Sequence, residues 1–366
     1  AFGLNLLQKP QGWEQNPIRP GSLTLLYGSF NFFIKIAIPP ACDLSNKGKN
    51  ICCFFVRMIK KGIVYSSTGS HYRVKSGGKF YYCSIKGKFR IKGIKSTNPI
   101  AVGDRVVFTV ESEKTEKTGV ITEIEVRQNY IVRKSVNLSK QIHIIAANID
   151  QVFLMITLKT PPTFPAFIDR FLVTAKAYEI KTVLIFNKID LYNSDELVEM
   201  RSLKEVYEKI GYDCHEVVAT DGGTLGNIKK KMTQKVSMFS GHSGVGKSTL
   251  INTLSPGLDL KTANVSAQHE QGQHTTTFAK MFDLEGGAKI IDTPGIKGFG
   301  LVDIQREELS GYFVEFSELK EQCKFNNCMH INEPQCAVKG ALEKGEIAQS
   351  RYKSYLQLLE DDLLYR

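Results

Sequence analysis

An octapeptide at residues 241–248 constrains the fold of this chain more than any other feature. It reads Gly-His-Ser-Gly-Val-Gly-Lys-Ser, follows an apolar strand pattern at 236–239 and precedes an apolar helical pattern at 249–254. This strand–loop–helix order is the context of a phosphate-binding loop, and it argues against the alternative of a chance match in a glycine-rich turn.

The chemistry of such a loop assigns a role to each part of it. Its glycines let backbone N–H groups converge on phosphate oxygens, Lys247 supplies a cation to the same oxygens, and Ser248 offers a hydroxyl to Mg²⁺. The predicted phosphate-binding residues are Gly241, His242, Ser243, Gly244, Val245, Gly246, Lys247, Ser248 and Thr249.

A second short motif, Asp-Thr-Pro-Gly at residues 292–295, ends an apolar strand pattern at 288–291. A carboxylate at that strand end can hold Mg²⁺ through water, and Gly295 can present its N–H to a γ-phosphate. Alone, this tetrapeptide is a common turn. After a phosphate-binding loop, it predicts that Asp292 and Gly295 belong to a nucleotide switch.

The third motif is Asn-Lys-Ile-Asp at residues 187–190, which ends an apolar strand pattern at 181–186. A carboxylate there can accept hydrogen bonds from both N1–H and N2–H₂ of guanine, whereas adenine offers no matching pair of donors. Such a site discriminates strongly, because the wrong base leaves buried polar groups unpaired. The predicted guanine-binding residues are Asn187, Lys188, Ile189 and Asp190.

The order of these motifs differs from that of ordinary GTPases, in which the guanine-binding motif comes last. Here it precedes the phosphate-binding loop, and no second copy follows Gly295. The same sheet is obtained if the original termini are joined and the chain is opened after the second motif. The sequence therefore predicts a circular permutation.

A cluster of metal-type ligands follows the three motifs, with the spacing Cys-x4-Cys-x-His-x5-Cys. Three thiolates and one imidazole suit a closed tetrahedral Zn²⁺ site, which is structural because no coordination position stays open. Free reduced cysteines are the alternative. Either reading fits a reducing compartment such as the cytoplasm. The predicted zinc ligands are Cys323, Cys328, His330 and Cys336.

Positive charge is concentrated before residue 141. The chain has a formal net charge of +11, and residues 58–140 alone carry 17 basic and six acidic side chains. Residues 141–366 carry 25 basic and 29 acidic side chains. A basic module joined to a near-neutral one favours a polyanionic partner such as nucleic acid, with a solvated basic surface as the alternative. No apolar run is long enough to predict a membrane span.

Residues 62–135 consist of short β-rich runs separated by turn residues, which is typical of a small barrel of the oligonucleotide-binding type. Basic residues alternate with aromatic ones, a pattern suited to stacking bases and contacting phosphates. Half of these aromatics are equally well explained as barrel core, Tyr81 or Tyr82 among them. The aromatic residues are Tyr72, Tyr81, Tyr82 and Phe89.

The remaining patterns divide the chain further. From residue 142, buried-type strands alternate with helices, which predicts a parallel sheet covered by helices, and the last segment is helical. Residues 1–57 lack a strand or helical period, and we interpret them as a non-native or disordered extension. The predicted divisions are 1–57, a barrel at 58–138, a permuted GTPase domain at 142–305 and a helical zinc-binding domain at 306–366.

Together, these motifs resemble the circularly permuted ribosome-associated GTPases of the RsgA or YjeQ family. The resemblance covers Met58 to the C-terminus. It implies a GTPase that binds the small ribosomal subunit and its rRNA late in maturation, as a cytoplasmic monomer using Mg²⁺ with GTP and one structural Zn²⁺. GTP would control docking, and hydrolysis would promote release.

The resemblance also assigns residues outside the three motifs. Ala219 and Thr220 would form a second base-contacting loop, where the family usually has Ser-Ala. Thr276, or less clearly Thr275, would be a Mg²⁺ ligand, and Gln273 replaces the family's usual Arg. Ile296 follows the second motif and cannot orient water, so His274 is the candidate catalytic residue beside Lys247. His242 and His269 are alternatives to His274.

Two other functions remain open from sequence. An RNA-binding translational regulator could keep nucleotide as a structural ligand, but intact Lys247, Ser248 and Asp292 favour turnover. An ATP-dependent nucleic-acid enzyme is opposed by Asn187 and Asp190.

Overall fold

The computed structural model describes residues 22–26, 33–37, 56–85, 99–113, 117–134, 142–258, 279–292 and 304–364. A β-barrel, an α/β sheet and a helical module follow one another along the chain, as the sequence predicts. Within the described residues, no helix combines the length and apolar composition needed to cross a membrane.

The N-terminal part is all-β. Strands β3 and β6 pair with each other and so close a five-stranded barrel with the neighbour order β3, β4, β5, β7 and β6. Only the β5–β7 pair is parallel. The strands are β1 (Ser22–Leu26), β2 (Phe33–Ala37), β3 (Val56–Ser67), β4 (Tyr72–Ser76), β5 (Lys79–Ile85), β6 (Arg105–Ser112) and β7 (Thr118–Ile124).

The barrel core is formed by side chains that alternate along its strands, as expected for a sheet with one buried face. Tyr72 and Tyr81 are both 1% exposed and belong to this core, whereas Tyr82 is 58% exposed. Two of the aromatics considered for base stacking are therefore core residues. Phe89 lies outside the described residues.

Two strands lie within residues 1–57, where the sequence shows no strand period. Strands β1 and β2 pair antiparallel, and β2 also pairs antiparallel with the start of β3, with Phe33 opposite Ile59. These runs of five residues are too short for their alternation to stand out between Pro- and Gly-containing segments. The rest of the segment up to residue 55 lies outside the described residues.

A two-stranded hairpin follows the barrel. It consists of β8 (Tyr130–Lys134) and β9 (Ile142–Ala147), with Tyr130 opposite Ala147. The predicted division at residues 138–142 thus falls inside a hairpin whose two strands pair. The backbone N–H of Ala147 donates to the Val102 carbonyl at 2.8 Å, which ties the hairpin to the barrel.

The central sheet has the neighbour order β12, β11, β10, β13, β15 and β14, and all of its pairs are parallel except β14–β15. The antiparallel β14 was not predicted. The strands of the central sheet are β10 (Gln151–Ile156), β11 (Lys181–Asn187), β12 (Asp213–Val217), β13 (Val236–Ser240), β14 (Lys280–Asp283) and β15 (Lys289–Asp292). Its helices are α1 (Pro165–Ala177), α2 (Ser194–Lys209), α3 (Gly226–Met232) and α4 (Lys247–Leu254).

Helices cover both faces of this sheet, which explains why its central strands read as continuous apolar runs. In β10, Leu154 packs in the core shared with α1 and α2, while the next residue, Met155, packs in the core shared with α3 and α4. The carboxyl ends of the parallel strands therefore open at one edge, where the loops that follow them meet.

The C-terminal module is helical, with α5 (Val314–Leu319), α6 (Ala337–Glu343) and α7 (Gln349–Leu364). Its own core is completed by Val173 of α1. Arg351 of α7 is 1% exposed and donates to Asp169 of α1 at 2.6 Å and to Glu315 of α5 at 2.7 and 3.0 Å. A buried ion-pair network thus fixes the module on the central domain.

Candidate functional site: a guanine-nucleotide site and a zinc centre

The predicted phosphate-binding loop lies between β13 and α4. Gly246 has φ 102° and Gly241 has φ 140°, backbone angles that residues other than glycine rarely adopt. A Cβ on Gly246 would also collide with the Asn187 amide. Glycine is therefore required there both by backbone conformation and by the close approach of the guanine-binding motif.

Lys247 points back across this loop. Its ammonium donates to the carbonyls of Gly241 at 2.6 Å and His242 at 2.7 Å. Burial lowers the pKa of Lys247 to about 8, and the nearby Asp292 carboxylate partly opposes that shift. Burial likewise raises the pKa of Asp292, against the effect of Lys247. The two charged groups that the sequence assigns to phosphate and Mg²⁺, Lys247 at the start of α4 and Asp292 at the end of β15, thus lie near enough to affect each other's pKa.

Asn187 joins three loops at the carboxyl edge of the sheet. It is 1% exposed, its Nδ2 donates to the Val245 carbonyl at 2.8 Å, and its Oδ1 accepts from the Ala219 N–H at 2.9 Å. The guanine-binding motif, the phosphate-binding loop and the second base-contacting loop are therefore held together by one amide.

The rest of the guanine-binding motif lies around Asn187. Lys188 has φ 65° and its ammonium donates to the Gly244 carbonyl at 2.8 Å, which lays its stem beside the loop. Ile189 is half-buried, and Asp190 is exposed, with its carboxylate available for a base. Thr220 is exposed next to the buried Ala219. The arrangement is compatible with guanine held between the two loops.

The remaining phosphate-site residues divide into two groups. Ser248 and Thr249 lie in the first turn of α4 and are half-buried, and Ser243 is exposed in the loop. Ser248 and Asp292 offer the oxygen ligands that Mg²⁺ prefers, so the described residues fit the ion. The predicted residues that lie outside the described ones are His269, Gln273, His274, Thr275, Thr276, Gly295 and Ile296.

His242 has a different environment from that of a water-orienting group. Its ring packs against that of Phe167 of α1, with centroids 4.0 Å apart and planes inclined at 32°. Burial and the charge of Lys247 lower the pKa of His242, which favours the neutral ring. This packing explains His242 without a catalytic role.

The structure brings all four predicted zinc ligands together. One ligand atom each from Cys323, Cys328, His330 and Cys336 lies within 4.8 Å of the others, and all four residues are buried. His330 Nδ1 lies 3.3 Å from the Cys336 sulfur and 3.7 Å from the Cys323 sulfur, so Nδ1 faces the thiols. The donor set and its compactness fit a tetrahedral Zn²⁺ site.

The predicted ligand thiols lie in a buried environment that favours their neutral form. Burial raises the pKa of Cys328 to about 12 and also raises that of Cys336. Thiols in such a place would become thiolates at neutral pH only beside a compensating positive charge. Glu333 accepts hydrogen bonds from the N–H groups of Met329 and Ile331, both at 2.8 Å, and so shapes the ligand loop.

The barrel carries a surface suited to nucleic acid. The guanidinium of Arg73 lies 3.8 Å from the centroid of the Phe80 ring, and Tyr82 stands opposite Arg73 on the neighbouring strand. Arg73 and Tyr82 are exposed, and Phe80 is half-buried. An aromatic ring beside a stacked cation can hold a base and its phosphate.

Three residues that shape the nucleotide site were missed from sequence. The Thr160 carbonyl accepts from Lys188 at 2.6 Å, Phe167 stacks on His242, and the Tyr192 hydroxyl donates to the Asn187 carbonyl at 3.1 Å. No motif spacing indicates these contacts, because each joins separate elements. The start of α2 was detectable, since Asn193 and Glu196 form a capping box.

Comparisons with known proteins agree with this geometry. A family model described as the RsgA N-terminal domain matches residues 61–121, and one described as the RsgA GTPase matches residues 124–302. The small ribosomal subunit biogenesis GTPase RsgA of Christiangramia forsetii is 63% identical over 303 residues, which cover 82% of this chain and 96% of that protein.

Two solved structures are also similar. YjeQ from Thermotoga maritima superimposes with a TM-score of 0.69 at 36% identity, covering 83% of this chain and 99% of that one. YloQ, described as a circularly permuted GTPase, gives a TM-score of 0.65 at 30% identity, covering 83% of this chain and 94% of that one. The predicted fold class is confirmed, and the chain belongs to the RsgA family of circularly permuted GTPases.

Proposed function

We propose that this GTP hydrolase binds the small ribosomal subunit and its rRNA late in maturation, that GTP favours docking and that hydrolysis favours release. The observation that carries the proposal is the attachment of one guanine-nucleotide site to two candidate docking modules. The barrel pairs with β14 through Ser66 and Lys280, and the zinc-ligand module is clamped to α1 by Arg351. The relatives' name supplies the partner. We further infer a cytoplasmic monomer.

The described residues suggest how the chain would bind and prepare GTP. Asp190 would accept from the guanine N1–H and N2–H₂, while Asn187 holds the surrounding loops in place. Lys247 and the loop N–H groups would neutralise the phosphates, with Ser248 and Asp292 at the Mg²⁺ position. When bound, Mg²⁺ supplies positive charge to the β- and γ-phosphate oxygens. We propose Thr276 as a further ligand and Gly295 as a γ-phosphate contact.

The hydrolytic water needs an orienting group, and we propose His274 for that role. A neutral imidazole can orient water or accept its proton near neutral pH. His274→Ala is expected to lower subunit-stimulated hydrolysis at least tenfold, with GTP affinity unchanged. An unaltered rate for His274→Ala would exclude His274.

The decisive experiment measures GTP turnover with and without isolated small subunits, and with ATP as the competing nucleotide. We expect the subunits to stimulate GTP hydrolysis and not ATP hydrolysis. Absence of stimulation would instead favour the RNA-binding regulator in which nucleotide is structural.

Asp190→Asn is expected to shift preference from guanine toward xanthine nucleotides, and retained GTP affinity would contradict the assignment of the base site.

The barrel surface provides a separate test of docking. Tyr82→Ala removes an exposed ring without opening the core, and Arg73→Ala removes its cationic neighbour. Both variants are expected to bind small subunits more weakly, since stacking on one base contributes about 1–3 kcal/mol. Val126→Ala is the control, because Val126 is an exposed residue outside this surface. Equal binding by all three variants would remove the barrel surface from the proposal.

A further inference from the structure

Helix α1 contacts the phosphate-binding loop through a pair of rings. Phe167, in the first turn of α1, stacks on the imidazole of His242, with the ring centroids 4.0 Å apart. Neither side chain is needed for the phosphate chemistry of the loop, which uses backbone N–H groups and Lys247. The stack therefore needs a different explanation.

The main chain of His242 supplies that explanation. Its carbonyl accepts from the Lys247 ammonium at 2.7 Å, and the Gly241 carbonyl accepts from the same group at 2.6 Å. A lysine ammonium has three N–H donors, so one donor is left for a phosphate oxygen. Because the first two hydrogen bonds fix the ammonium, the direction of the third depends on where the His242 carbonyl lies.

Helix α1 is itself held firmly from the opposite side. Asp169, two residues beyond Phe167, is fully buried and accepts from Arg351 at 2.6 Å and from the Tyr207 hydroxyl at 2.9 Å. Arg351 is in turn paired with Glu315 of the C-terminal module. Moving Phe167 away from the loop would disturb this buried network, so the ring is presented on a rigid support.

We propose that Phe167 is a positioning residue for the phosphate site, which acts through His242 to aim the Lys247 ammonium at the β-phosphate. This role rests on the assignment of the phosphate-binding loop, but it is independent of docking to the ribosomal subunit. If small subunits failed to stimulate GTP hydrolysis, the proposed role of Phe167 would therefore still stand. It also gives His242 a role in the loop that requires a flat ring rather than an acid or a base.

The test is a double-mutant cycle on nucleotide affinity with the full chain. Phe167→Ala is expected to weaken GDP affinity about three- to tenfold, the size of an aromatic pair contribution. Phe167→Tyr, which keeps the ring, should bind GDP as tightly as the unmodified chain. His242→Ala should match Phe167→Ala, and the double variant should be no weaker than either single one. Phe164→Ala is the matched control, because Phe164 is 66% exposed at the start of the same helix.

GMP separates positioning from general damage to the site. It keeps the guanine contacts but lacks the β-phosphate, so competition binding should show equal GMP affinity for Phe167→Ala and the unmodified chain. Additive effects in the cycle, an equal loss for GMP, or unchanged GDP affinity would each overturn the proposal. If Phe167→Ala does not fold, Phe167→Leu in the same cycle gives the same comparison.

Discussion

A single buried amide illustrates how much of this site depends on individual residues. The Asn187 side chain donates to the Val245 carbonyl and accepts from the Ala219 N–H, and it is buried. The sequence places Asn187 in the predicted guanine-binding motif, and the structure shows that its side chain contacts the backbone of two other loops. We therefore expect Asn187 to contribute to nucleotide binding mostly by holding these loops in place.

Asn187→Ala should weaken GDP binding at least tenfold. The change leaves a buried N–H and a buried carbonyl unpaired, which costs about 1–3 kcal/mol for each group that stays buried. Isothermal titration with GDP measures the loss. Asn193→Ala is the control, because it removes the capping box of α2 at the same edge of the sheet and should reduce helix stability without altering GDP affinity. Equal GDP affinities for the Asn187 variant and the unmodified chain would contradict the bridging role.

At the scale of single residues, local spacing predicted only part of the site. Asn187 and Lys247 could be assigned to the site because each lies in a contiguous motif next to a predicted strand. Thr160 and Phe167 were not, since they reach the site from loops and helices whose contacts depend on the folded sheet. Polar and aromatic contacts between distant segments leave no periodic signal in a sequence.

At the scale of elements, β14 joins the nucleotide domain to the barrel. Asp283, at its end, accepts from the Tyr65 hydroxyl at 2.6 Å and pairs with Lys75 of the barrel. Burial acts to raise the pKa of Asp283, but the hydrogen bonds from Lys75 and Tyr65 outweigh it and hold that pKa below its usual value. This joint was not predicted, because an antiparallel strand of four residues carries little signal.

Asp283→Asn tests the joint through pH. Because the pKa of Asp283 is lower in the folded chain, its carboxylate stabilises the fold above about pH 4 and loses that effect as pH falls further. We therefore expect Asp283→Asn to lower the free energy of unfolding by about 1 kcal/mol at pH 7, a small value because the pair is partly solvated. This difference should shrink toward pH 3. Urea unfolding at each pH measures it. Glu285→Gln, which removes an exposed pair with Lys229, should show no comparable deficit.

The pairing of α1 with α7 depends on Arg351. Arg351→Met should destabilise the chain by about 3–5 kcal/mol, because Asp169 and Glu315 are left buried without their cation. In the variant, loss of the Arg351 charge would raise the pKa of the buried Asp169 carboxyl further, so the loss of stability should grow as pH rises from 5 to 8. Thermal unfolding across that range checks both points. Lys353→Met is the control, since Lys353 is exposed on the same helix, and a pH-independent deficit for Arg351→Met would contradict the explanation.

At the scale of the whole molecule, the order of motifs was the most informative feature of the sequence. It predicted a permuted sheet, and that architecture is confirmed. The way in which the modules attach was not predictable. Asp169 and Arg351 are far apart in sequence, as are Tyr65 and Asp283, so only the folded chain shows that the barrel and the zinc-ligand module both pack on the nucleotide domain.

The C-terminal module should require its metal, whereas the nucleotide site should not. Three of its buried core residues are the proposed zinc ligands Cys323, Cys328 and Cys336, so without the ion their thiols would occupy the centre of a small core. We expect one Zn²⁺ per chain by elemental analysis. Removal by a chelator, or Cys336→Ser, should expose residues 304–364 to proteolysis while GDP binding to the central domain persists, because metal binding and folding of small modules are coupled. Cys214→Ser is the control, since that thiol lies in the central domain and should leave the zinc content unchanged. A module that stays protease-resistant after complete zinc removal would show that its helices pack stably on α1 without the ion.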